Sequence, residues 1–196
     1  MPLLENQQYQ QNAGSSKRAS CRTARRADRV SANADKFAGY ARGTVLRAPR
    51  AAKKGKQPRR TIVFMTVSGE EKGLWGSEYY SENPIFPLDK TTVDLNIDMV
   101  GRVDTERLTA DSLNYVYVIG SNRLSTELHE INESVNKEYT NLTLDYTYNA
   151  EDDPNRYYYR SDHYNFAEKG IPAIFYFNGT HKDYHRTSDT VEKINR

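Results

Sequence analysis

Three apolar runs end in side chains able to do chemistry. Thr61-Ile-Val-Phe-Met-Thr-Val67 gives way to Ser68-Gly69-Glu70-Glu71. Asp98 stands inside Asn96-Ile97-Asp98-Met99, and Ile171–Phe177 leads into Asn178-Gly-Thr-His181-Lys-Asp-Tyr184-His185. A base, carboxylate donors and an imidazole donor are the components of a hydrolytic zinc site. Open α/β sheets present such groups at the carboxyl ends of their strands. Each feature also has a plainer reading. Adjacent acids at a helix start complement the helix dipole, and a loop histidine is ordinarily surface. Asp98 is harder to place that way, because an acid within an apolar strand is costly to bury unless it is paired or bound to metal. The conjunction of the three favours the chemical reading. The single Cys21 excludes an internal disulfide and a cysteine-based zinc site, so carboxylates and histidines would have to hold any zinc.

The elements that must position these groups follow from the pattern of the chain. Thr61–Val67 reads as a strand buried on both faces. Leu74 to Asn83 reads as a short helix stopped by Pro84 and Pro87, and Thr91–Val100 as a second strand with alternating apolar residues. Tyr115–Ile119 is a third strand, ended by Gly120. Ser121 is placed to cap a helix running to about Lys137, with Leu124, Leu128, Ile131 and Val135 on one stripe. Leu142–Tyr148 reads as a fourth strand, Asp162–Lys169 as a helix ended by Gly170, and Ile171–Phe177 as a fifth strand. Asp189 is placed to cap a last helix. Strands alternating with helices imply an α/β fold with a mainly parallel or mixed sheet.

Charge divides the chain. Residues 1–60 carry 15 Lys and Arg against 3 acids, a net of +12, with no Ile, Trp or His; the remainder carries 13 basic and 23 acidic side chains, a net of −10. We therefore read residues 1–58 as a basic low-complexity segment with too few apolar residues to offset the entropy of folding, and expect it to be disordered or loosely helical. Residues 59–196 are read as the folded domain. A +12 segment offers counterion release to nucleic acid or an anionic membrane face. It lacks interleaved aromatics and any fold motif, so nucleic-acid binding is not expected. No apolar run approaches the ~18 residues of a membrane span. Polar Glu5-Asn-Gln-Gln8 follows Met1-Pro-Leu-Leu4, so no signal peptide is expected either.

The segments Thr61–Ser77 (with Gly69-Glu-Glu-Lys-Gly-Leu-Trp-Gly-Ser77), Asn96-Ile-Asp-Met-Val-Gly-Arg102, Ser161-Asp162-His163, Gly170-Ile-Pro172 and Asp183-Tyr184-His185 with Asp189-Thr190 resemble, in order, the two-zinc exopeptidases. These include bacterial leucyl aminopeptidases, aminopeptidase Y, glutamate carboxypeptidase and glutaminyl cyclase. The 27-residue step from Glu71 to Asp98 fits that family. The resemblance implies a three-layer α/β/α sandwich with a mixed, mainly parallel sheet, here incomplete at its N-terminal side. It further implies zinc-dependent hydrolysis of a peptide with a free N-terminus and a secreted or periplasmic location. Glu70 resembles the general base, Glu71 and His185 the donors to one zinc, and Asp98 a donor to the other. Ser161, Asp162, His163, Arg102 and Tyr184 would shape the site wall or orient those donors; for Ser161-Asp162-His163 a helix N-cap serves equally well. His181 is the competitor of His185. Tyr157-Tyr158-Tyr159 would line a substrate pocket or anchor a loop, and His129 is expected on an exposed helix face.

The family carries two further donors upstream, a His in His-x-Asp and a metal-bridging Asp. Residues 1–60 hold neither motif. Two expectations follow. Residues 1 to about 57 are an out-of-frame translation or a wrong start, in which case another reading frame of the upstream nucleotide sequence encodes both motifs. Alternatively, the chain is an inactive fragment or a binding domain that kept the fold and lost its metals.

Overall fold

The computed structural model describes residues 53–55, 58–107 and 113–195. Four strands form one sheet: β1 (Asp94–Ile97), β2 (Tyr115–Ile119), β3 (Thr143–Asp145) and β4 (Ala173–Phe177), in the order β1-β4-β2-β3. β1 runs parallel to β4 and β2 parallel to β3, while β2 and β4 are antiparallel. The sheet is therefore mixed and mainly parallel. Among the described residues three α-helices accompany it: α1 (Trp75–Glu82), α2 (Thr126–Val135) and α3 (His163–Glu168).

β2 and β4 take the centre because Tyr-Val-Tyr-Val-Ile and Ala-Ile-Phe-Tyr-Phe offer apolar side chains to both faces. On one face Val116, Val118 and Ile174 meet Leu128 of α2. On the other, Tyr115, Tyr117, Ile119, Phe175 and Phe177 pack with Ala167 of α3. α1 lies outside α3, with Tyr80 against Phe166 at 5.9 Å between ring centroids. Helix, sheet and helix thus make three layers, as expected of the α/β fold.

Several local expectations are corrected. Thr61–Val67 is not paired as a strand, and Ile62, Val63 and Phe64 are exposed. No strand among the described residues lies beside it, and high β-propensity without a neighbour leaves a run extended but unburied. The cap of α2 is Ser125, whose Oγ accepts from the Leu128 N–H at 3.1 Å. Ser121 is instead fully buried against Nδ1 of His129, which is half-buried. Of the apolar stripe on that helix, only Leu128 packs on the core; Leu124, Ile131 and Val135 are exposed. Asp189 caps no helix: its carboxylate accepts from Arg102, and a single 3₁₀ turn follows at Val191–Lys193. The expectation for residues 1–58 falls almost wholly outside the described residues.

Candidate functional site

Gly69 and Gly73, at φ +73° and +111°, turn the chain so that Glu70–Lys72 form one 3₁₀ turn. The turn is held by α1. A Cβ at Gly76 would stand 2.6 Å from the carbonyl oxygen of Ser68, so glycine is what permits this approach. In the first turn of α1, buried Ser77 donates to Oδ1 of Asp162 at 2.5 Å and accepts from Nδ2 of Asn165 at 2.8 Å. α1 is thereby fastened to the start of α3.

Asp98 leaves the end of β1, with its N–H donated to the Tyr176 carbonyl at 3.2 Å. Ser161 Oγ donates to its Oδ2 at 2.9 Å and accepts from Nδ2 of Asn96 at 2.8 Å. Asn96 and Asp98 share a face because side chains alternate along a strand. Met99, at φ +53°, then bends the chain away.

His185 follows β4 and stands at φ +55°, a region that few residues with a Cβ occupy. Its Nε2 lies 2.8 Å from Oε2 of Glu71, and both side chains are more than half exposed. The Tyr184 ring stacks on the imidazole with centroids 3.8 Å apart. His181 does not compete for this position: it is buried, with Nε2 3.8 Å from Oδ2 of Asp189. His163 is likewise away from the carboxylates, fully buried and stacked on Phe175 at 4.9 Å. Burial pushes its imidazole down to about 3, so it is neutral and part of the core. Tyr157 and Tyr158 pack inward against Phe177 and His163 and act as loop anchors.

The carboxylates feel one another. Burial, then Asp98, Glu71 and Asp162, push Glu70 up to about 8, with Arg160 opposing. Asp98 is also raised, by burial first, against the hydrogen bond from Ser161. Asp162 is raised by burial. Tyr184 is raised by burial, and Arg160, Glu71, Glu70 and Asp98 all act on it, which sets its ring at this acidic cluster. Arg102 faces elsewhere: it donates to Asp183 and Asp189, both at 3.0 Å. Hydrogen bonds from Lys193, Ser188 and Arg102 hold the Asp183 carboxyl well below the usual range.

Glu70, Glu71, Asp98, Ser161, Asp162, Tyr184 and His185 thus come together, and His163 and Arg102 stand apart from them. The sequence reading gave no role to Asn96, Ser77 or Arg160. The two-residue step from Asn96 to Asp98 was the available signal; Ser77 and Arg160 carried none. Carboxylate and imidazole are zinc donors in kind. In number they fall short: among the described residues no group of three or more His, Cys, Asp or Glu stands ready to hold a metal ion.

Comparison with solved structures finds the same fold. BSAP, a zinc aminopeptidase from Bacillus subtilis, is 23% identical with a TM-score of 0.50, over 66% of this chain and 30% of that one. The LapA aminopeptidase of Legionella pneumophila is 22% identical with a TM-score of 0.50, over 76% of this chain and 39% of that one. The chain therefore spans between three tenths and two fifths of their length. A comparison with curated protein sequences gave no match. The model of peptidase family M28 matches residues 38–196, four fifths of the sequence, and the chain belongs to that family.

Proposed function

We propose that residues 59–196 are the C-terminal part of a zinc-dependent peptidase domain that removes N-terminal residues from peptides. The observation that carries this reading is the meeting of Glu71 and His185 at 2.8 Å, from turns 114 positions apart, beside an Asp98 oriented by Ser161. Family membership and the zinc aminopeptidase among the similar structures support it. Glu71 and His185 would hold one zinc, and Asp98 would contribute to a second. When bound, zinc polarises the scissile carbonyl and lowers the pKa of water toward ~7.

The chain's own groups divide the remaining work. Glu70, adjacent to a donor but not one itself, is placed to take the proton of the attacking water in its ionised form, which cations held by the neighbouring carboxylates would favour, and to pass that proton to the leaving amine. Ser161 fixes the Asp98 carboxylate through its hydrogen bond. The crowded acids Glu70, Glu71, Asp98 and Asp162 attract the α-ammonium of a free N-terminus, which favours an exopeptidase acting at that end. Tyr184 walls the site beside His185. No described helix is long and apolar enough to cross a membrane.

A second reading rests on the short donor set: no described group of three potential ligands, and no His in residues 1–60. On that reading the chain keeps the fold without catalysis. One experiment separates the two. The chain is loaded with zinc and assayed on an aminoacyl anilide, with Glu70→Gln alongside. The enzymatic reading expects turnover that Glu70→Gln abolishes while bound zinc is retained. Bound zinc without turnover, or turnover indifferent to Glu70→Gln, overturns it.

A further inference from the structure

We propose that Arg102 is a positioning residue: by tying the turn after β1 to both ends of the Asp183–Asp189 loop, it holds His185 facing Glu71. The guanidinium fork spans the loop. Nη2 donates to Oδ2 of Asp183 and Nη1 to Oδ1 of Asp189, each at 3.0 Å, and all three side chains are largely buried. The other oxygen of Asp183 accepts from Ser188 Oγ at 2.7 Å and Lys193 Nζ at 2.9 Å, and Lys193 also donates to the Ser188 carbonyl at 2.7 Å.

Between the two closed ends stands His185 at φ +55°. A residue with a Cβ persists there only where its surroundings over-determine it; backbone bonds from the Tyr184 N–H to the His181 carbonyl and from the Arg186 N–H to the Asp183 carbonyl, both 2.9 Å, shape the turn locally, and the Arg102 fork ties its two ends to the rest of the fold. Arg102 is also four residues beyond Asp98 on the same turn, and the neighbouring Gly101 carbonyl accepts from the Asn195 N–H at 3.0 Å. One side chain therefore couples the segment that carries Asp98 to the loop that carries His185. The planar fork is needed, because an ammonium is a single point of charge and cannot meet two carboxylates in fixed directions.

The inference rests on the proposed role of His185 as a zinc donor, and the test keeps the two apart. The full chain is compared with Arg102→Gln and Arg102→Lys. Without metal, amide exchange at Tyr184–Arg186 and tryptic cleavage after Arg186 are expected to accelerate about ten-fold in Arg102→Gln. Amides of Val118 and Ile174 should stay unchanged, and Arg102→Lys should recover part of the protection. Unchanged exchange in the loop, or an equal rise in the core strands, overturns the positioning role. With zinc, calorimetry is expected to show affinity about ten-fold weaker in Arg102→Gln, and Arg102→Lys should again recover part. If His185→Ala leaves zinc affinity intact, the donor role of His185 fails, while the metal-free exchange still decides the clamp. Should Arg102→Gln not fold, Lys193→Gln removes the exposed ammonium that donates to Asp183 and to the Ser188 carbonyl. Loop exchange about three-fold faster is then expected, and no change overturns the proposal.

Discussion

Two regions of the molecule, the centre of the sheet and its β1 side with the unpaired run before it, are built from similar residues and reach different ends. β2 and β4 are closed on both faces, with Val118, Ile119 and Ile174 fully inaccessible. β1 and the Thr61–Val67 run hold Leu, Ile, Val and Phe as well, yet Leu95 is 54% exposed and Phe64 43%. The contrast is sharpest across one register position. Leu95 lies beside Ile174 on the same face of the sheet, but Ile174 is covered in a cluster that includes Leu128 of α2 while Leu95 stays more than half exposed. β-propensity thus makes a strand extended, and only a covering layer makes it a source of stability. The candidate site straddles this boundary. Glu70, Glu71 and Asp98 belong to the open half, and His185 follows the closed one.

The largest expected effect tests the closed half. Ile174→Ala removes a fully buried side chain between Val116, Val118 and α2, and should cost about 2–5 kcal/mol in urea unfolding. A loss below about 1 kcal/mol, the ordinary size for an unremarkable site, would mean that the centre of the sheet is no better packed than its edge.

A smaller effect of opposite sign is expected at the boundary. Asp94 opens β1 half-buried, and no described residue donates to its carboxyl. Burial, then Asp162, push it up to about 6 from an ordinary 3.8. Between about pH 4 and pH 6 the folded chain therefore binds more protons at this group than the unfolded one. Stability falls as pH rises through that window, and the loss is complete above it. Asp94→Asn should consequently gain about 1–3 kcal/mol at pH 7.5 and nothing at pH 3, where both states hold the proton. A gain of equal size at pH 3 would assign the effect to something other than the buried charge.

What the sequence made legible follows the same division. Runs that end in Gly120 or Gly170, and a helix stopped at Pro84, could be placed because their signals are local. The reading of Thr61–Val67 as buried was overturned because burial depends on what lies beside a run, which no local pattern contains. Ser121 was expected to cap the second helix, but the hydrogen bond to His129 draws it inward and Ser125, four residues on, caps it instead. Asp189 met a stronger partner in Arg102 than a helix N-terminus would have been. At the site, motif order resembling a known family brought Glu71, Asp98 and His185 to notice, but not the long-range bonds from Ser161 to Asp98 or from Ser77 to Asp162. Those bonds join residues 63 and 85 positions apart. Asn96 lay within reach of the strand period and was passed over.

The smallest expected effect completes the comparison. Leu95→Ala removes as much apolar volume as Ile174→Ala, from the neighbouring strand and the same face, but the side chain is already half in water. The transfer term scales with the area hidden from water, so the change should stay within about 0.5 kcal/mol in the same urea titration. A cost comparable to that of Ile174→Ala would mean that Leu95 is covered when the protein is in solution. The open half of the sheet would then be buried by residues beyond those described here, and Glu70, Glu71 and Asp98 would sit on a surface as firmly held as the strand that leads to His185.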